Sequence, residues 1–314
     1  MKERLCVVQF LHPGGEPRVP AAGEVAWNTQ GRHTRKFLRA AGRSIDAVDG
    51  SPRQEKLGFW GEWEAQSLAT PASGRGPGEP AWIHEPFFDP PAPGVWAQNT
   101  DPFVFGAAFH FTGCQQHSHV GNPTQLARLR PGSLILFGSG LGRRFVLDTV
   151  FVVGPRWIEH SRKTRGALDG EISDEYREIT IDRWYAGRLP DDRVHGLYFG
   201  ATFDDPFHGM FSFFPCTEVD GSTRGFARPE IRLPGVVTPT QTQKYRRTPV
   251  ASPRDATESW RSVVDQVLAA GLRLGIRADM PRRVAAATPV PGAEPSGCAP
   301  GSLSPPDHSS VPSC

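Results

Sequence analysis

The chain has 314 residues, with 35 lysines and arginines against 33 aspartates and glutamates and a formal net charge of +2. That length can bury a sizeable core in one large domain or two small ones. The near-zero balance excludes a global field that would draw the chain to nucleic acid. Only Lys2, Lys36, Lys56, Lys163 and Lys244 are lysines. Arginine dominance suits bidentate phosphate or base contacts, and it equally suits a GC-rich coding bias, which abundant Ala, Gly and Pro also reflect. Of the five cysteines, Cys298 and Cys314 lie in a polar tail, leaving Cys6, Cys114 and Cys216 in the folded part. This is no disulfide framework, and a reduced, cytoplasmic protein is expected. The first apolar run stops at Leu11, so no signal peptide is expected. No run approaches the roughly 20 apolar residues of a membrane span, so no membrane partner is expected.

Leu5 to Leu11 reads as a short buried strand, closed by His12-Pro13-Gly14-Gly15. The segment Thr34 to Ala41 predicts a short helix ending near Gly42. In Phe59-Trp60-Gly61-Glu62-Trp63-Glu64, strand alternation puts Trp60, Glu62 and Glu64 on one face and Phe59 and Trp63 on the other, unless a bulge at Gly61 turns both indoles together. Residues 68–80 and Asp89 to Gly94 read as loops. Val104 to Phe111 predicts a strand, and Thr124 to Leu129 a helical turn or two. Leu134 to Phe137 and Phe145 to Val153 predict two strands joined by Gly138-Ser139-Gly140-Leu141-Gly142. Val194 to Phe203 and Met210 to Phe214 predict another pair. Ser252 as N-cap, Pro253 at the first helical position and apolar Trp260, Val263, Val264, Val267 and Leu268 predict an amphipathic helix stopped by Gly271 or Gly275. Strands followed by one amphipathic helix give a β-rich α+β class.

The run Leu129-Arg130-Pro131-Gly132-Ser133-Leu134-Ile135-Leu136-Phe137-Gly138, followed by Phe145-Val146-Leu147-Asp148-Thr149-Val150-Phe151-Val152-Val153, resembles PUA-like barrels such as the ASCH and EVE domains. There a Pro-Gly turn enters one strand and a second strand soon returns. Ser133 stands where those domains more often carry an acid. The resemblance implies a PUA-like or similar small mixed β-barrel with peripheral helices. It also implies recognition of RNA, a nucleotide or a modified base in an aromatic pocket.

Several groups of residues carry candidate chemistry. Trp27, Trp60 and Trp63 offer stacking faces or simply a core, and Glu62 offers an acceptor for an exocyclic amine. Gln98, Asn99 and Asp101 sit at a strand entry, where they read a base edge or bond local backbone before Pro102. Arg32, His33, Arg35 and Lys36 form a basic cluster suited to phosphate, and Arg143 and Arg144 follow the glycine-rich loop. That loop leads into a strand rather than a helix, so a hairpin explains it better than a phosphate cradle. His110, Cys114, His117 and His119 have the spacing H-x3-C-x2-H-x-H, a weak metal pattern with no second cysteine nearby. A second basic segment runs from Arg224 through Arg228 and Arg232 to Lys244, Arg246 and Arg247, whereas residues 61–125 hold one basic side chain, Arg75, and six acids. No nucleophile motif is present.

The chain is therefore expected to comprise a β-rich core over 1–250 (two lobes with a break near 155–190 fit equally), an amphipathic helix over 251–280 and a disordered tail over 281–314. The expected function is recognition of a nucleic acid or nucleotide by stacking and edge hydrogen bonds, without a cofactor. One alternative is a hydrolase or transferase acting on a nucleotide or glycoside through Glu62 or Asp101. The other is a protein-interaction scaffold. Oligomeric state is left open.

Overall fold

The computed structural model describes residues 4–46, 50–74, 76–91, 95–186, 190, 192–219 and 224–284. Most of the expected tail lies outside these. Among the described residues there are fourteen strands: β1 (Cys6–Leu11), β2 (Gly23–Val25), β3 (Lys36–Ile45), β4 (Pro52–Gly61), β5 (Ser67–Pro71), β6 (Trp82–Phe88), β7 (His110–Phe111), β8 (Leu134–Leu141), β9 (Arg144–His160), β10 (His195–Gly200), β11 (Phe214–Glu218), β12 (Tyr245–Pro249), β13 (Arg273–Ala278) and β14 (Arg282–Arg283). They form a six-stranded sheet in the order β12-β1-β8-β9-β10-β7 and an eight-stranded sheet in the order β13-β11-β4-β3-β6-β5-β2, with β14 against β6. Because β13 pairs with both β11 and β3, the strands β3, β4, β11 and β13 pair in a closed circle. The fold is β-rich α+β.

The strands β1 and β8 and the first half of β9 are buried on both faces, so they read as near-continuous apolar runs rather than alternations. Phe10, Ile135, Phe137, Phe151 and Val153 face a core shared with Leu38, Leu57, Phe59 and Trp63 of the second sheet region. Val7, Leu134, Leu136, Leu147 and Val150 face the other way, toward the helix Pro253–Ala269 through its Trp260, Val263 and Val267. That helix starts as expected: Ser252 accepts from the Asp255 N–H and Asp255 accepts from the Ser252 N–H, a reciprocal cap. A second helical segment, running through Asp174–Tyr176, Arg177–Ile181 and Asp182–Ala186, joins β9 to β10 and contributes Tyr176, Ile179 and Ile181 to the shared core.

Five expectations are corrected. Residues 68–71 lie in β5 rather than in a loop. β11 starts only at Phe214 and joins the other sheet from β10, so the two do not pair. Thr34 to Ala41 is not a helix; Lys36–Ile45 is a strand, fixed by ten paired positions with β4 and by further pairing to β6 and β13. Tertiary pairing overrides the helix propensity of this segment. Val104 to Phe111 is not one strand: Phe105 bridges Ala278, Gly106 turns the chain at φ +85°, and only His110–Phe111 joins a sheet. The glycines 138 and 140 lie inside β8 rather than in a loop, and the hairpin turns at Gly142-Arg143, both at positive φ.

Candidate functional site

Where the two sheets meet, ionisable side chains from both are buried together. Arg35, just before β3, donates from Nη1 to Glu62 Oε2 at 2.7 Å and from Nε to Asp148 Oδ2 of β9 at 3.1 Å. Arg228 reaches the other Asp148 oxygen at 3.4 Å, and donates to Ser139 Oγ of β8 at 3.0 Å and to the Gly14 carbonyl at 2.7 Å. Glu62 and Glu64 follow the end of β4, and both converge on His33: Nδ1 lies 2.9 Å from Glu62 Oε1 and 3.2 Å from Glu64 Oε1. One atom from each of these three residues lies within 4.8 Å of the others. His12, just after β1, places Nδ1 3.6 Å from Glu62 Oε2. The His12 and His33 rings are near-parallel, with centroids 6.3 Å apart.

Local structure explains this convergence. The His12 N–H bonds the Gly138 carbonyl and extends the β1–β8 pairing by one residue. The chain then turns against β8, where a Cβ on Gly14 would sit 3.0 Å from Ser139 and Leu141 side-chain atoms. The Gly15 carbonyl accepts from the Arg35 N–H, which ties this turn to the start of β3. The carboxylates accept further hydrogen bonds. Glu62 Oε1 accepts from the Asp101 N–H at 3.0 Å. Glu64 accepts from the Thr34 N–H at 3.0 Å and from Asn28 Nδ2 at 2.6 Å.

The electrostatics follow from burial and mutual charge. Burial opposes ionisation of Glu62, but His33, Arg35 and His12 together hold its carboxyl well below the usual carboxylate range. Burial and the Arg35 charge push His12 well below the ordinary imidazole value, so it is neutral near pH 7. Arg35, deprived of water, is kept charged by Glu62 and Asp148. Among the described residues, His12 Nε2, Arg35 Nη2 and Arg228 Nε are buried without a hydrogen-bond partner.

The expected site residues fall into separate places. The alternation around Gly61 holds: Phe59 and Trp63 both pack on Phe105, whereas Trp60 joins Phe37 and Ile83 in another cluster. All three indole N–H groups are used internally, Trp27 on the Gln98 carbonyl, Trp60 on the Phe226 carbonyl and Trp63 on the Gln66 carbonyl. The Arg228 guanidinium covers the Trp60 ring at 4.7 Å. Gln98 and Asn99 are buried, and the Asp101 carboxylate accepts from the Thr112 N–H at 3.0 Å. The basic cluster does not form one surface: Arg32 is exposed, Arg35 points into the site, and Lys36 points away to the Ala65 carbonyl and Ser67. Arg143 and Arg144 are exposed at the β8–β9 turn. His110 stacks on Tyr176, His117 meets His195, and His119 is exposed. Cys114 is buried, and these four do not gather into a metal-binding group among the described residues. The two clefts near Leu5, Arg130 and Pro253, of about 210 and 460 Å³, have no residue of the Glu62 cluster in their walls.

His12, Asp148 and Arg228 are the members that sequence reasoning did not assign to the site. Asp148 carried a usable signal, as the one acid within the apolar run Phe145 to Val153, since a carboxylate on a buried strand needs a partner. His12 and Arg228 carried none beyond their residue type. Among the described residues no helix is long and apolar enough to cross a membrane. Neither protein-family models, nor curated proteins, nor solved structures give a match to this chain.

Proposed function

We propose that the protein is an enzyme, a hydrolase or transferase acting on a nucleotide or glycoside at the buried centre around Glu62. The observation that carries this is one carboxylate, 4 % exposed, held between two imidazoles and a guanidinium. Burying that many ionisable groups costs stability, and such arrangements cluster at sites of chemistry. In this reading neutral His12 accepts a proton through its unpartnered Nε2. Ionised Glu62 steadies the imidazolium that forms. The unpartnered Arg35 Nη2 and Arg228 Nε are donors awaiting acceptors, which phosphate and sugar oxygens would supply. Recognition of a nucleic acid by stacking is the less favoured reading, because Trp27, Trp60 and Trp63 are engaged within the fold. A PUA-like kinship would fit the β8–β9 hairpin, which contributes Ser139 and Asp148.

The test is turnover of a panel of nucleotides and nitrophenyl glycosides, read by chromatography and absorbance, in wild type and Glu62→Gln. Losing the carboxylate that steadies the His12 imidazolium disables the acid–base step, which is worth about 10²–10⁴-fold in rate, with substrate binding retained. Undiminished turnover in the variant would sink the proposal. So would a wild type that turns over nothing and instead binds an oligonucleotide in a salt-sensitive, Trp60-dependent way.

A further inference from the structure

We propose that His33, Glu62 and Glu64 form a binding site for a first-row divalent cation of the Zn²⁺ or Mn²⁺ kind. The three ligand atoms already lie within 4.8 Å of one another, and all three residues are buried. Two carboxylate oxygens converge on the single nitrogen Nδ1 of His33, at 2.9 and 3.2 Å. An imidazole nitrogen carries at most one hydrogen and makes one linear bond, so it serves only one of the two oxygens well. A cation set among the three atoms gives each lone pair a partner and offsets both carboxylate charges.

The surroundings have the form of an outer shell. Arg35 holds the second oxygen of Glu62 at 2.7 Å, and Asn28 holds the second oxygen of Glu64 at 2.6 Å. Backbone N–H groups of Asp101 and Thr34 take one lone pair on each inner oxygen and leave the other. Outer partners of this kind aim ligands at a metal. A second, independent observation points the same way. His12, 7 % exposed, aims Nδ1 at the same carboxylate, 3.6 Å from Glu62 Oε2 and beyond hydrogen-bond range. Nitrogen and carboxylate donors without thiolate favour Zn²⁺, Mn²⁺ or Fe²⁺ over a copper(I) site, and three protein ligands leave room for water or substrate.

This site is shared with the proposed enzyme, but its test is metal content rather than turnover, so the two proposals fail separately. The full chain is stripped with a chelator, loaded with ZnCl₂, MnCl₂ or CoCl₂, desalted and assayed for metal by mass spectrometry. The expected result is about one equivalent of Zn²⁺ or Mn²⁺ per chain and a visible Co²⁺ absorption band. Both are lost in Glu64→Gln and retained in the surface control Glu85→Gln. Asn28→Ala should weaken metal affinity about 10–100-fold through lost orientation of Glu64. A wild type that retains no metal and gives no Co²⁺ band overturns the proposal whether or not any variant folds. A folded Glu64→Gln that keeps full stoichiometry also overturns it.

Discussion

Arg35 is the cation on which the junction between the sheets depends, and Arg35→Met tests that directly. At 1 % exposure its guanidinium serves Glu62 at 2.7 Å, Asp148 at 3.1 Å and the Thr34 carbonyl at 3.0 Å. Methionine keeps much of the volume but leaves both carboxylates short of positive charge in a buried site. Removing one partner of a buried pair costs about 3–5 kcal/mol. Arg228 still touches Asp148 and His33 still touches Glu62, so the lower end, about 3 kcal/mol, is expected at pH 7. The pH dependence has a definite sign. Glu62 is held below its unfolded pKa, so its contribution is present above the unfolded value, about 4.3, and is lost as pH falls through the folded value. In Arg35→Met the Glu62 carboxyl protonates more readily, and the gap between variant and wild type narrows below about pH 5. Urea unfolding in chelator, followed by tryptophan fluorescence, measures both. The double variant Arg35→Met/Glu62→Gln should be more stable than the sum of the single effects by about 1 kcal/mol or more. A cost under about 1 kcal/mol at pH 7, the size of a surface pair, would refute the reasoning, as would a gap that widens on acidification.

Two further outcomes follow from the same physics. In β8, Gly138→Ala would put a Cβ 2.1 Å from the Val146 carbonyl oxygen, whereas Gly140→Ala meets nothing within 4 Å; thermal unfolding should therefore fall sharply or folding fail for the first, and change by less than about 1 kcal/mol for the second. Lys36 is buried and pushed down to about 8. The unfolded chain then binds more protons between about pH 8 and 10.4, so stability should rise with pH across that window, and Lys36→Met should flatten the rise in urea titrations.

The fold was legible where one side of an element meets solvent or a cap is written locally. The helix Pro253–Ala269 satisfies both conditions, with Ser252 and Asp255 at its start and Trp260, Val263 and Val267 on one face. It was illegible where a segment is buried on both faces. Phe37 and Leu38 are adjacent and both buried, one against Trp60 and Ile83 and the other in the shared core. No period-2 pattern survives there, and Thr-Arg-Lys-Phe-Leu-Arg-Ala-Ala reads as a helix by composition alone. What makes it a strand is long-range pairing to β4, β6 and β13, which no local window contains.

The site divides in the same way. Glu62 and Glu64 were visible because alternation is a local property, and two acids on one strand face beside indoles must be solvated or paired. Their partners come from other segments, Arg35 lying 27 residues from Glu62 and His33 31 from Glu64, and the centre reaches further still, to Asp148, 113 residues from Arg35, and Arg228, 80 from Asp148. The indoles of the expected site have internal roles in the fold. Large π-surfaces beside carboxylates suggest stacking on a ligand, yet Trp60 carries Arg228 on its face, and Arg228 in turn holds Asp148. The indole thus acts one step removed, positioning the guanidinium that completes the ionic centre. On that account Trp60→Leu should loosen Arg228 and weaken the centre, whereas an indole used for stacking would leave the Arg228–Asp148 contact unchanged.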